Sequence, residues 1–199
     1  MVLLEFNLIQ IFIEIVEVYG YLGTFLISAF GSMIPFFSGP YLIPIIMFNG
    51  ILNPTLLALT AGLGAAVGKT TSYLIGRSSG KYLIKSKYGK KFTVLTALFE
   101  KYGFVAVLIA AFTPIPDDFI VIPAGIAKYS VWKTFLGIFL GKTFLSLSVA
   151  WGLSTILKII DIEGSTPLIL SVFFLSMFFI FLLIYSRFNI EGWIEKKLL

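Results

Sequence analysis

The chain has 199 residues, 58% of them hydrophobic and only 13% charged, and so few charges could not cover a soluble protein of this size that contains 21 Phe, 9 Tyr and 3 Trp. The net charge of +5 is concentrated at residues 77–101, with seven basic side chains and one acidic, which excludes a generally basic nucleic-acid binder. The absence of Cys and His excludes disulfides, iron–sulfur clusters, zinc proteases and Ser-His-Asp hydrolases, so we predict no cofactor and no metal. The apolar composition predicts an integral membrane protein.

Residues 1–18 are predicted to form an amphipathic helix. Their polar side chains recur every three or four residues, which places them in one narrow stripe on the helix. This stripe contains Glu14 and Glu17. Two carboxylates favour a helix at the membrane interface or in a groove over a free span, because charges are costly against lipid.

The following segment, residues 19–52, is almost uncharged but contains Pro35, Pro40 and Pro44, which a straight membrane helix would not tolerate. The residues before Pro35 reach only ~24 Å as a helix, short of a hydrocarbon core of ~30 Å. We therefore predict a re-entrant hairpin that turns between Pro35 and Pro40, with Pro35 and Gly39 at its tip. A membrane span at 56–75 completes this unit.

Residues 77–101 are predicted to be a basic cytoplasmic loop, because positive charge marks cytoplasmic segments. A second hairpin at 102–128 and a second span at 134–157 follow. At the end of the chain, residues 166–187 are predicted to form a C-terminal transmembrane helix, which returns the C-terminus to the cytoplasm. The residues predicted at the second hairpin tip are Pro114, Pro116, Pro123 and Gly125.

The two units, 19–76 and 102–158, form an internal repeat within a single membrane domain. In each unit two prolines lie nine residues apart, and the following span contains a Gly-Lys-Thr triplet. The matching positions are Pro35 and Pro114, Pro44 and Pro123, and Lys69 and Lys142. With all basic segments on one side, the two hairpins enter from opposite faces, as in secondary transporters. The predicted fold class is an all-α polytopic membrane protein with an inverted repeat.

Two carboxylates, Asp117 and Asp118, are predicted at the tip of the second hairpin. A charge at membrane depth costs roughly 2.5 to 3.5 kcal/mol and needs a partner or a proton. One interpretation is a pair that exchanges a proton during transport, because adjacent carboxylates repel each other. The alternative is a helix N-cap, in which Asp accepts free backbone N–H groups.

Lys69 and Lys142 lie within predicted spans, where burial favours pairing with a carboxylate or a bound anion such as phosphate. The alternative is that their ammonium groups reach the membrane surface along flexible side chains. The Gly-Lys-Thr triplets do not form a phosphate-binding loop, because the required earlier Gly is missing and both triplets lie in apolar spans. The glycine pairs spaced four apart are interpreted as close helix contacts. These pairs are Gly64 and Gly68, Gly76 and Gly80, and Gly137 and Gly141.

Three segments carry a family resemblance: Ile-Pro-Phe-Phe-Ser-Gly at 34–39, Gly-x3-Gly-x4-Tyr-x2-Gly-Arg at 64–77, and the run from Phe-x-Pro to Pro-Ala-Gly at 112–125. Together they resemble the DedA superfamily, also called the VTT or SNARE-associated family. The sequence departs from the family pattern in three ways. It has no Glu in the first tip. Lys69 stands where many members have an acidic or amide residue, and aspartates stand near the place of the arginines that many members have in the second tip.

The resemblance implies lipid transport in the plasma membrane by a protein that is not an enzyme. The implied substrate is a polyprenyl phosphate such as undecaprenyl phosphate, moved by a flippase coupled to a proton or ion gradient. Alternatives are a phospholipid scramblase or a membrane-organising protein. Expected partners are membrane lipids and, as an open option, further copies of the chain. An intramembrane enzyme, such as an aspartyl protease or a lipid phosphatase, is disfavoured. Aspartyl catalysis needs two carboxylates that face one substrate, whereas adjacent residues on a helix point ~100° apart.

Overall fold

The computed structural model describes residues 11, 14–36, 40–49, 51–84, 89–113 and 116–160. Its α-helices, numbered α1 to α6, are Tyr21–Met33, Ile43–Phe48, Pro54–Ile84, Gly89–Phe112, Asp118–Ile126 and Val131–Ile160, with a 3-10 helix Pro40–Leu42 before α2. The described residues contain no β-strand, so the prediction of an all-α protein is confirmed for them. Most of the predicted helix at 1–18 and the predicted C-terminal helix at 166–187 lie outside the described residues.

The chain divides into two compact units, Met1–Ile156 and Leu157–Leu199. Apart from the last turn of α6, the helices described here lie within the first unit. In the described residues two helical segments are long and apolar enough to cross a membrane, Leu95–Phe112 and Val131–Gly152. Helix α1 is apolar but has only 13 residues, which corresponds to ~20 Å.

Helix α3 has 31 residues and differs from a simple span. It begins where Asn53 accepts the N–H groups of Thr55 and Leu56 at 3.0 and 3.3 Å, and Pro54 occupies a position whose N–H would have no helical partner. Between Leu56 and Ile75 its exposed side chains are apolar, whereas Lys69 and Ser72 are fully buried. An apolar outer face and a polar inner face suit a helix whose outer solvent is lipid.

The segment predicted as a basic loop, 77–101, is mainly helical, and this part of the prediction was wrong. Helix α3 continues to Ile84 and α4 already begins at Gly89. Lys and Arg are good helix formers, and positive charge indicates the side of the membrane on which a segment lies rather than its secondary structure. Helix α4, which contains the segment predicted as the first arm of a second hairpin, is consequently 24 residues long.

The prediction that glycines mediate helix contacts is confirmed. A Cβ on Gly64 or Gly68 would overlap backbone carbonyl groups of α1, and one on Gly76 would overlap the Ile122 carbonyl of α5. Gly141 of α6 lies against α4 in the same way. These contacts bring backbones close together without large apolar side chains. Beside them, a buried apolar core joins α3, α4, α5 and α6 through Ala66, Tyr73, Val107, Val121 and Ile138.

Candidate functional site

Four charged side chains from three helices meet inside the bundle. Lys69 lies at the middle of α3, Lys142 lies in α6, and Asp117 and Asp118 stand at the start of α5. Helix α5 begins here because Pro116 follows the end of α4, and the Asp117 carbonyl then accepts the N–H groups of Ile120 and Val121 at 2.9 Å. The break between α4 and α5 therefore places both carboxylates at the depth of the two lysines.

These four residues, Lys69, Asp117, Asp118 and Lys142, form what we call the buried charge cluster. Lys69 Nζ lies 2.5 Å from Asp118 Oδ2 and 3.1 Å from Asp117 Oδ1, and Lys142 Nζ lies 3.2 Å from Asp117 Oδ2. None of the four is more than 1% exposed. The Asp117 carboxylate thus lies between two ammonium groups, and the formal charges of the cluster cancel.

The turn after α1 also contacts this cluster. The backbone N–H of Phe36 donates a hydrogen bond of 2.7 Å to Asp118 Oδ2. The Phe36 ring packs edge-on against Phe119, with 5.2 Å between the ring centroids. Phe36 adopts a φ of 64°, a left-handed conformation that is uncommon for a residue other than glycine. The break that follows Pro35 and the break that follows α4 are therefore in direct contact at Asp118.

Tyr41, in the 3-10 helix, lies beside the buried charge cluster, and we did not predict this contact from the sequence. Its ring centroid lies 4.8 Å from Lys142 Nζ, which is a cation–π distance. The side chain is only 2% exposed, and its hydroxyl has no hydrogen-bond partner among the described residues. An aromatic residue directly after Pro40, where the predicted turn ends, was the available sequence signal.

The structure distinguishes between the alternatives for the charged residues. Asp117 occupies the N-cap position of α5 but makes no side-chain cap hydrogen bond, because its carboxylate faces the lysines. Lys69 is 0% exposed, so its ammonium group does not reach the surface. Lys142 pairs with Asp117, whereas Lys69 pairs with both aspartates. The cluster is therefore held by ion pairs.

The proline and glycine residues predicted at the hairpin tips are distributed differently. Pro35 lies in the turn next to Phe36, and Pro116 directly precedes Asp117. Pro123 and Gly125, however, lie inside α5. Within α5 the Pro123 ring removes one backbone donor and crowds the carbonyl of Phe119. Gly125 allows close contact with the Tyr73 carbonyl of α3. The remaining tip residues, Gly39 and Pro114, lie outside the described residues.

Several polar atoms beside the cluster have no partner among the described residues. They are the hydroxyls of Ser32, Ser72 and Ser146, together with Asp118 Oδ1. Ser72 and Ser146 lie about one helical turn after Lys69 and Lys142, respectively. Buried polar groups are normally hydrogen-bonded, so this surplus indicates a site with capacity for a polar ligand. The described residues include no group of three or more carboxylates that could hold a metal ion.

We expect the replacement of Tyr41 by Phe to leave the free energy of unfolding unchanged within about 0.5 kcal/mol, because the ring and its cation–π contact remain. The replacement by Leu should lower the free energy of unfolding by about 2 kcal/mol or more, because it removes the cation–π contact to Lys142, which is desolvated. Thermal unfolding in detergent measures both variants. A loss for Tyr41→Phe as large as that for Tyr41→Leu would show that the hydroxyl, not the ring, supports the cluster.

Comparisons with known proteins give a match to one family and to curated relatives. The family described as the VTT domain matches residues 34–153, about three-fifths of the chain. Two uncharacterized membrane proteins of Mycobacterium tuberculosis, from strains CDC 1551 / Oshkosh and H37Rv, are each 38% identical over 101 residues. The match covers 48% of this chain and 42% of either relative, so it spans less than half the length of those proteins. No solved structure gives a significant match.

Proposed function

Since the chain belongs to the VTT domain family of the DedA superfamily, whose members are membrane proteins linked to transport, we propose that it moves an anionic lipid carrier across the membrane. The proposed substrate is a polyprenyl phosphate of the undecaprenyl type, and its movement is coupled to a proton or ion gradient. The observation that carries this proposal is the buried charge cluster. Four ionised groups inside a membrane protein are costly to bury, and such groups typically mark substrate or proton pathways.

The order of the helices supports the proposed inverted repeat. Helix α1, a break, the short α2 and the long α3 are followed by α4, a break, the short α5 and the long α6. Both breaks contribute to the site, since Phe36 and Asp118 are hydrogen-bonded to each other. In transporters with inverted repeats, interrupted helices meet in this way at the substrate site near the bilayer midplane. We place the protein in the plasma membrane, with 77–101 and the C-terminus on the cytoplasmic side.

The charges suggest how a proton and a phosphate exchange at the site. In the described state each lysine is neutralised by a carboxylate, so a phosphate that pairs with Lys142 competes with Asp117 for its charge. A proton on Asp117 removes its negative charge and weakens both of its ion pairs. The two lysines then have one unit of uncompensated positive charge, which an anionic phosphate can neutralise. Loss of the proton restores the internal ion pairs and expels the anion.

The spare hydroxyls give the phosphate further donors. The hydroxyls of Tyr41, Ser32 and Ser72 are buried and have no partner in the described chain. Phosphate oxygens are strong acceptors, and hydrogen bonds to a charged acceptor are about twice as strong as neutral ones. The charge cluster and these hydroxyls together match a phosphate group better than an uncharged headgroup.

A chemical role for the aspartates as a protease pair is not supported by this geometry. Aspartyl catalysis uses two carboxylates that share one proton, whereas Asp118 faces Lys69 and the Phe36 N–H, and Asp117 faces Lys69 and Lys142. We therefore propose that the protein is not an enzyme.

The test is the transfer of a polyprenyl phosphate between leaflets of proteoliposomes under an imposed proton gradient. Asp117→Asn removes the carboxylate that expels the anion when it loses its proton, and without charge-assisted contacts of about 1.5–3 kcal/mol to drive this release we expect a rate reduced roughly tenfold to a hundredfold. The control is Glu100→Gln, which neutralises an exposed carboxylate on α4 and should leave the rate unchanged. Transfer by Asp117→Asn at the wild-type rate with the gradient would contradict the proposal.

A second function is favoured by one observation, the internal neutrality of the cluster. If the four charges only stabilise the bundle, the protein could scramble phospholipids or organise the membrane without coupled transport. Scrambling proceeds without a gradient and accepts a zwitterionic phospholipid. In the same proteoliposomes, transfer of phosphatidylcholine that is equally fast with and without a gradient would favour this second function over the first.

A further inference from the structure

A second group of cations lies around Tyr129, in the connection between α5 and α6. The Tyr73 hydroxyl donates a hydrogen bond to the Tyr129 carbonyl, and Arg77 Nη1 donates one of 2.8 Å to the Tyr73 hydroxyl. Lys133 Nζ lies 6.0 Å from the centroid of the Tyr129 ring, and Lys128 precedes Tyr129 in the chain. Helices α3 and α6 thus bring three cations to one place. We call Arg77, Lys128, Tyr129, Trp132 and Lys133 the Tyr129 patch.

The cations of this patch are exposed and form no salt bridge with another described residue. Arg77, Lys128 and Lys133 are all exposed, and in the part of the chain that the structure describes every salt bridge belongs to the buried charge cluster. Next to them Trp132 is 74% exposed, and its ring contacts Phe135 edge-on at 6.0 Å. Exposed Trp and basic side chains at the end of an apolar helix are typical of the headgroup layer of a membrane.

The backbone at Lys128 gives an independent indication. The end of α5 has the hydrogen bonds of a Schellman motif, from the Lys128 N–H to the Gly125 carbonyl and from the Tyr129 N–H to the Ala124 carbonyl. Lys128 has a φ of 57° at the position that glycine usually occupies in this motif. A side chain in this conformation is strained, and such strain is found preferentially at functional sites. A lysine at this position keeps a positive charge in the patch at the expense of local backbone stability.

We propose that the Tyr129 patch binds the phosphate of an anionic membrane lipid, with Arg77, Lys128 and Lys133 around the phosphate and Trp132 in the headgroup layer. The patch lies outside the buried charge cluster, and lipid binding here does not depend on the proposed transport function. Basic residues near a membrane surface each contribute about fivefold to the affinity for anionic lipids.

The experiment uses Trp132 as a local reporter in the full-length protein with Trp151→Phe and Trp193→Phe. The protein is reconstituted in phosphatidylcholine vesicles that contain a minor fraction of either brominated phosphatidylglycerol or brominated phosphatidylcholine. We expect stronger quenching of Trp132 fluorescence by the anionic lipid, and we expect added salt to reduce that excess. Equal quenching by both lipids would overturn the proposal.

Variants at Lys128 separate charge from backbone conformation. Lys128→Asn tolerates a positive φ but removes the charge, whereas Lys128→Arg keeps the charge. Combined with Lys133→Gln, Lys128→Asn leaves only Arg77 in the patch and should remove most of the excess quenching, while Lys128→Arg alone should retain it. Undiminished excess quenching in the double variant would contradict the assigned residues. If that variant fails to fold, the salt dependence is measured in the protein that keeps Lys128 and Lys133. Excess quenching that added salt does not reduce would then overturn the proposal.

Discussion

Replacing Lys69 by Met is expected to destabilise the protein by about 3 to 5 kcal/mol, the usual cost of breaking a buried ion pair. After this substitution Asp118 keeps its hydrogen bond from the Phe36 N–H, and Asp117 keeps its ion pair with Lys142. Two buried carboxylates then face one ammonium group. Equilibrium unfolding in detergent measures the loss. The matched control is Lys101→Met on the exposed surface of α4, for which we expect a change within about 0.5 kcal/mol.

A second substitution tests whether the loss comes from the unpaired carboxylate. Asp118→Asn removes the charge but keeps an oxygen that can accept the Phe36 N–H. In the double variant with Lys69→Met the remaining Asp117 and Lys142 balance each other, so we expect most of the lost stability to return. If the double variant were destabilised by the sum of the destabilisations of the two single variants, Lys69 and Asp118 would not be coupled. Restored stability without restored transport would separate a transport role from a structural one.

The residues of the buried charge cluster could be found from the sequence, but their pairing could not. Charges inside apolar segments are rare enough to stand out, and the repeat pattern relates Lys69 to Lys142. Which lysine contacts which aspartate depends on the rotation and axial offset of α3, α5 and α6. Hydrophobic periodicity indicates the buried face of a helix to within tens of degrees at best, whereas ion pairs are decided by distances of an ångström.

The contributions of Phe36 and Tyr41 could not be predicted for a different reason. Phe36 contacts Asp118 through its backbone N–H, a group that every residue except proline carries, and in a left-handed conformation that its side chain does not favour. Tyr41 lies in a 3-10 turn close to Lys142, and apolar composition alone does not distinguish it from neighbouring aromatic residues. Both contacts arise from the tertiary arrangement of the two breaks.

The structure gives physical reasons for the Gly-x3-Gly-x4-Tyr-x2-Gly-Arg string. Gly68 allows α1 to approach α3 beside Lys69, and Gly76 allows the approach of α5. Tyr73 fixes the Tyr129 carbonyl after α5, and Arg77 holds the Tyr73 hydroxyl. The string therefore sets the position of α5, the helix that carries both aspartates.

The contact between α3 and α5 leads to the second prediction of large effect. A Cβ at Gly76 would overlap the Ile122 carbonyl, a backbone group that cannot move aside without shifting α5. We expect Gly76→Ala to destabilise the protein by about 1 to 3 kcal/mol through overpacking, although alanine favours a helix more than glycine does. Because α5 begins with the two aspartates of the cluster, its displacement should also reduce lipid transfer.

The control is Gly152→Ala in α6, since a Cβ added at Gly152 would meet no atom of the described residues within 4 Å. At this position only the helix propensity changes, and we expect a gain of roughly 0.5 to 1 kcal/mol with unchanged transfer. Unfolding in detergent and lipid transfer in proteoliposomes are measured for both variants. If Gly76→Ala were as stable and as active as Gly152→Ala, the close approach of α3 and α5 would not be what holds Asp117 and Asp118 against the lysines.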